Sequence, residues 1–401
     1  MHRYATYAML ALAVSAFGQV WGGAKYALEN GSVKFELDEN GRLSSLKNKA
    51  SGAEYAGGGD LWRIIYSRGD SLENEWLPSD APLKISKPSP DKILLEYGGQ
   101  FPVKIECSLD GGQVLLKPAV ENASKDLVLR EFQFPFVKNL PDAENSRIIW
   151  SKSGGAYAVR GGQSLRKWVE DARTSYMAED YNAVERSELY PGVLALNCFF
   201  VERPNGKGTL YMASYDDSFQ KTLHLFRGRA ADGKKEREID VGFVKYPFLK
   251  SGESREYPAC AMAPVNKWED GAKFYAKWAG SWRRPFKPAD SLLSSNGWQR
   301  LIARHQYGKQ FFKYSDFPKI LKDGLAADID TLFLFGWFKE GHDAGYPHYS
   351  PESEQGGDEA LKKAIAEFKK GGGKVIIYYN GQLIDCLLYT SDAADDLTRV
   401  D

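Results

Sequence analysis

The 401-residue chain carries 53 Lys plus Arg against 53 Asp plus Glu, so its formal net charge at neutral pH is zero. That balance gives no electrostatic basis for nucleic acid or an anionic surface as a partner. The length points to two or three domains. Most of the 10 Trp and 22 Tyr are expected to fill a β-structured core, leaving a minority to line a pocket.

Residues 1–24 read as an export signal. A short MHRY segment precedes ATYAMLALAVSAFGQVWGG, a run too short and too rich in small residues for a membrane span. Cleavage is expected between Ala16 and Ala24. No Cys lies near that point to anchor a lipid, so a periplasmic or secreted protein, off the membrane, is expected.

Residues 25–264 have the pattern of antiparallel β structure. VKFELDENGRLSSLKN forms two alternating strands around a turn at Asp38 to Gly41. LWRIIYS, KILLEYGG, VKIECSLD, QVLLKPAVEN, RIIW, GVLALNCFFVE, GTLYMASY and KTLHLFRG follow, punctuated by turn residues. So many strands with little helical periodicity predict a large sandwich, and no fixed repeat suggests a propeller.

Residues 265–296 form a helix and a linker. Phe274, Tyr275, Trp278 and Trp282 recur at helical spacing, an aromatic face expected to be buried between domains. The polar RRPFKPADSLLSSN, with two prolines, is the linker.

From residue 297 to 385 the character changes. LIARHQ predicts a strand ending at His305, Gln306 and Tyr307. Ser315 and Asp316 are placed to cap a helix with Phe317, Ile320 and Leu321 on one face and Pro318 in its first turn. A strand from Thr331 to Phe335 follows. Next come a helix capped by Asp358, with Leu361, Ala364, Ile365 and Phe368 inward, a stop at Gly371 to Gly373, and a strand from Lys374 to Tyr379. This β-α-β-α-β order predicts a right-handed parallel sheet whose apolar strands are covered by helices on both faces. Three strands do not separate a barrel from an open sheet. In either, ligands sit at the carboxyl ends of the strands, which makes Gly336 to Gly357 the expected wall of a site.

Residues 386–401 continue no such pattern. CLLYTSDAAD resembles a translated transposon-end adapter from sequencing-library preparation, so the natural chain is expected to be interrupted near Asp385, whose own codon borders the junction and has Glu as its alternative. Cys107, Cys198 and Cys260 then remain, too far apart in sequence for a disulfide framework or metal cluster.

The hairpin FELDENGRLSSLKNKASGAEY resembles the opening of mutarotase-like sandwiches. DIDTLFLFGWFKEG and GGDEALKKAIAEFKKGGGKVIIYYN are similar to the second and third barrel strands of bacterial α-glycosidases, including the α-galactosidase clan. The run from NGWQRLIARHQYG to YYNGQLID resembles a bacterial family of predicted glycosidases with this layout. The resemblance implies an N-terminal antiparallel β-supersandwich followed by the first part of a truncated (β/α)8 barrel. It also implies a carbohydrate substrate and no cofactor. One departure stands out: where that clan often carries paired acids before Gly-Trp, this chain has Leu334 and Phe335 before Gly336 and Trp337. A galactose-like specificity is therefore not implied. The clan's nucleophile and acid/base lie on its fourth and sixth strands, beyond the end of this chain.

Glycoside cleavage needs two carboxyl groups flanking the anomeric carbon, one kept protonated by an apolar or like-charged neighbourhood. Glu340, Asp343, Glu352, Glu354 and Asp385 are the visible candidates. Glu352 and Glu354 read as solvated loop, and Asp343 as either a turn cap or a ligand for a sugar hydroxyl. Trp337 follows a strand and a glycine, where its ring either stacks on a sugar or packs. His305, Tyr307, Lys339, Asn380, Gln382 and Asp385 share the expected rim and complete the candidate substrate-binding set. The spacing of His342 and His348 fits no tight metal motif. No GxSxG, phosphate-binding GxxxxGK[ST] or post-strand GxGxxG occurs. The expectation is a retaining glycoside hydrolase whose catalytic pair lies beyond this chain. A polysaccharide lyase and a non-catalytic glycan-binding protein are the alternatives. Oligomeric state, sugar and linkage are left open.

Overall fold

The computed structural model describes residues 26–69, 74–152, 155–158, 163–172, 183–204, 206–230, 236–284 and 287–381. The expected export signal, Gln382, Asp385 and the adapter-like tail lie outside these residues. The chain divides into two compact units, one ending at Arg283 and the other starting at Arg284.

The first unit is built from antiparallel sheets of three, six and ten strands. The predicted hairpin forms the three-stranded sheet with Tyr26–Glu29, its strands Val33–Leu37 and Leu43–Asn48 paired through a bulge beside Leu37. Gly41, at φ +73°, makes the turn. In the six-stranded sheet, Glu238–Lys245 lies between Thr222–Arg229 and Val128–Val137. In the ten-stranded sheet, Thr209–Ser214 lies between Leu194–Glu202 and Cys260–Val265. Phe132, Phe226 and Phe243 from the six-stranded sheet and Ile105, Phe199 and Met212 from the ten-stranded one share a single hydrophobic core. Every strand run read from the sequence is present.

Val128–Val137, Ala183–Tyr190, Glu238–Lys245 and Cys260–Val265 were not anticipated. Val128–Val137 escapes notice because seven consecutive residues from Glu131 are buried and Pro135 interrupts them. A register shift between Gln133 and Phe136 accommodates the missing donor.

The helix Trp268–Trp282 forms as predicted, and its aromatic face lies on the ten-stranded sheet. Period-two geometry sends Leu210 and Met212 into the sandwich core and Tyr211 and Ala213 outward to the helix. Gly271 permits the approach, since a Cβ there would lie 2.8 Å from Tyr211 Cβ. Trp278 stacks on Tyr215 at 5.0 Å, and the Asn197 amide donates to Tyr275 Oη (3.0 Å).

The second unit has three parallel strands, Trp298–Ile302, Thr331–Phe335 and Lys374–Ile377, in sequence order. The helices Phe317–Ala326 and Gly357–Lys370 connect them, burying Phe317, Leu321, Leu361, Ala364 and Phe368 in one cluster. The first strand starts at Trp298 rather than Leu301, because parallel register sets Trp298 opposite Thr331. The third ends at Ile377, not Tyr379. Two caps differ from expectation. Asp316 accepts from the Lys313 amide (2.8 Å) and so closes the preceding turn instead of the helix, while Asp358 lies inside a helix whose cap is Gly356. The two outer strands are not covered throughout: Trp298 is 59% and Ile376 36% exposed. Among the described residues only the middle strand has a neighbour on each side.

Candidate functional site

The strands end at Ile302, Phe335 and Ile377, and the segments that follow them converge. Gly336 (φ +56°) turns the chain off the middle strand; a Cβ there would lie 2.2 Å from the Arg304 carbonyl oxygen. Gly341 (φ +87°) lies similarly close to the His305 carbonyl. These glycines let the two loops run side by side, with the His342 amide donating to the Arg304 carbonyl (2.9 Å).

His342 is thereby wedged edge-on between Phe335 (5.2 Å) and Tyr378 (5.4 Å). Its Nε2 lies 3.5 Å from an Asp343 carboxylate oxygen, and its buried Nδ1 has no partner among the described residues. Burial pushes the imidazole below its ordinary pKa; Asp343 opposes this, and Arg300 and His305 add to it. One Glu340 carboxylate oxygen is likewise buried without a partner.

Of the predicted residues, Trp337 is 5% exposed. It stacks on Tyr349 (5.8 Å, 19°), and its Nε1 donates to the Tyr378 carbonyl (3.0 Å), so its ring belongs to the packed wall. His305 is half-buried against Tyr307 (4.9 Å), whose ring is 83% exposed. Lys339 extends into solvent, its amide tied to the Ser350 carbonyl. Asp343, at φ +60°, is a turn clamp: its amide donates to Tyr346 Oη, which donates back to Oδ1, both at 3.0 Å. Asn380 Nδ2 donates to Tyr378 Oη (3.1 Å), and Tyr349 Oη donates to its carbonyl (3.1 Å).

Glu354 is exposed, as a solvated loop residue should be, but Glu352 corrects the expectation. It is 4% exposed and ion-paired with Arg304, and its amide donates to Tyr314 Oη (3.0 Å). A charge that deep needs a partner, and Arg304 supplies it from the neighbouring loop. Sequence reasoning also passed over Tyr346, Tyr349 and Tyr378, which frame His342 and Trp337. Their signal was the aromatic density of GYPHY, within the loop after the middle strand, and of IIYY at the end of the last strand.

The edge therefore combines exposed aromatic faces at Tyr307 and Tyr379, neutral hydrogen-bonding groups, and carboxylates largely engaged by Arg304 and Tyr346. His348 is exposed, and among the described residues no cluster of three or more His, Cys, Asp or Glu could hold a metal ion. Nor is any described helix long and apolar enough to cross a membrane.

No protein-family model matches the chain, and no curated protein matches it in sequence. Among solved structures, a GH36 alpha-galactosidase from Geobacillus stearothermophilus aligns with 92% of this chain at 10% identity and a TM-score of 0.53. A GH31 family sulfoquinovosidase from E. rectale aligns with 93% at 12% identity (TM-score 0.44), covering 50% of that chain. A galactose mutarotase related enzyme from Lactobacillus acidophilus aligns with 60% at 11% identity (TM-score 0.38), covering 96% of that chain. The chain spans 57% of the length of the alpha-galactosidase, and over that span shares its fold.

Proposed function

We propose that this protein acts on a glycan as a glycoside hydrolase, with the carboxyl edge of its parallel strands forming part of the sugar site. The observation that carries the reading is the convergence of His305, Tyr307, His342, Tyr378 and Asn380 on that edge, around glycines that let the loops meet. Sugars need flat aromatic surface and neutral donors and acceptors, and this edge offers both. The fold shared with the alpha-galactosidase supports the same reading.

In this proposal the three strands open a (β/α)8 barrel, and hydrolysis proceeds with retention through two carboxylates beyond Asp385. Glu352 and Asp343 are occupied by Arg304 and Tyr346, which leaves neither free to serve as nucleophile. Residues 1–24 direct the protein out of the cytoplasm.

The test is turnover by the product of the uninterrupted gene, assayed on p-nitrophenyl α- and β-glycosides with the first-formed anomer read by proton NMR. Release of sugar with its anomeric configuration kept is expected. An unsaturated sugar product, or binding with no turnover on any substrate, overturns the hydrolase reading.

A further inference from the structure

At one end of the sandwich, the last residue of Glu238–Lys245 pairs with the first of Thr222–Arg229, so Lys245 and Thr222 sit side by side. A cavity of about 260 Å³ opens there, lined by Asp216, Gln220, Thr222, Lys245, Arg255 and Tyr257, with Lys221, Tyr246 and Phe248 completing its wall. Lys245 is 2% exposed. Its ammonium has three donors, yet among the described residues it bonds only Ser214 Oγ (2.7 Å) and lies over the Tyr257 ring at 5.3 Å. No carboxylate among the described residues comes within ion-pairing distance of it. Asp216, the one acid in the lining, spends Oδ1 on the Ser218 amide (2.9 Å) and hydroxyl. Lys221 and Arg255 add two further cations, and Arg255 Nη1 donates to Gln220 Oε1 (3.3 Å).

An ammonium taken out of water with no carboxylate in ion-pairing contact is costly, and the cavity beside it is where a compensating anion fits. The remaining surface narrows the choice. Tyr246 and Phe248 lie nearly parallel at 6.3 Å (20°), and Phe248 is 55% exposed, which leaves a flat apolar face at the mouth. Gln220 and Thr222 supply neutral hydrogen-bonding groups. The volume is below the ~300–1,000 Å³ of sites for drug-sized ligands, which suits a single ring rather than an oligomer.

We infer that this cavity binds a carboxylate-bearing sugar, a uronic acid unit, with its carboxylate on Lys245 and Arg255 and its ring against Tyr246 and Phe248. The cavity is lined wholly by residues of the first unit, and the inference stands whether or not the parallel-strand edge cleaves glycosidic bonds.

Titration calorimetry with D-galacturonate, D-galactose and sodium acetate tests it on the whole protein. A charge-assisted bond predicts that galacturonate binds about tenfold or more tightly than galactose. Acetate, lacking the ring, should bind more weakly than galacturonate. Lys245→Met, which keeps the apolar volume, should abolish the preference for galacturonate. Arg255→Ala, at a half-exposed position, provides a second variant should Lys245→Met fail to fold, and should weaken galacturonate severalfold. Equal affinity for galacturonate and galactose, no binding of either, or galacturonate binding untouched in the folded variants overturns the site. Acetate as tight as galacturonate overturns the sugar assignment. Loss of galacturonate binding in His305→Ala but not in Lys245→Met assigns that binding to the other edge and equally overturns it.

Discussion

Single residues decide whether the loops at the strand edge can meet. Gly336 combines a left-handed backbone with a contact that admits no Cβ, so Gly336→Ala should cost about 2 kcal/mol or more. Chemical denaturation followed by Trp fluorescence would show it as a lowered midpoint; an unchanged midpoint would mean that the loops are not held as described. Glu352→Gln should also destabilise, by about 2 kcal/mol, because it leaves Arg304 without its counter-charge. Arg304 keeps about a quarter of its side chain in water, which holds this cost below that of a fully buried pair. Equal stability of wild type and Glu352→Gln would refute the pairing. The ion pair was not legible in the sequence: Arg304 and Glu352 are 48 positions apart, and the polar surroundings of Glu352 resemble any solvated loop.

At the scale of elements, period and turn chemistry carried most of the fold. The hairpin at Gly41, the helix of Phe317, Ile320 and Leu321, and the alternation of the long strands all follow from patterns a few residues wide. What stayed hidden depends on partners far along the chain. Val128–Val137 hides because Glu131 and Gln133 are buried alongside its phenylalanines, which breaks the expected alternation, and the Trp268–Trp282 helix shows an aromatic face without naming the sheet that receives it. Tyr275→Phe tests that packing: it strips the Asn197 amide of a buried acceptor and should cost about 1–3 kcal/mol in a denaturant melt, where no change would detach the helix from the sheet. The Lys374–Ile377 strand, with Ile376 exposed and no further neighbour among the described residues, is an open edge. Ile376→Lys should reduce concentration-dependent association in sedimentation velocity, and an unaltered profile would show that this edge is not the sticky surface.

For the whole molecule, acid should be the sharpest stress. His224 is fully buried beside Phe199 and Phe243, and burial, reinforced by Lys245, lowers its pKa from 6.5 to about 3. The folded protein therefore binds fewer protons than the unfolded chain across that interval. Its stability is complete above about pH 6.5 and is lost as pH falls toward 3, by on the order of 4 kcal/mol from this group. His342, shifted the same way, adds to the loss below its ordinary value. His224→Phe should flatten the acid limb of the stability profile by one proton, and an unaltered slope would contradict the burial. Fold at this scale was legible from the count and spacing of strands, and the meeting of the post-strand loops from the rule that places ligand-binding loops at the carboxyl ends of parallel strands. Which groups fill the site was not legible, because Tyr349 and Tyr378 act through contacts that only the folded loops create.

The proposed function requires sugar to meet the carboxyl edge of Trp298–Ile302, Thr331–Phe335 and Lys374–Ile377. Saturation-transfer NMR on the purified protein with a panel of neutral mono- and disaccharides measures this directly. Transfer to at least one sugar, suppressed in both His305→Ala and Asn380→Ala while the fold is retained, is the predicted result. No transfer to any sugar, or transfer indifferent to both substitutions, would contradict it.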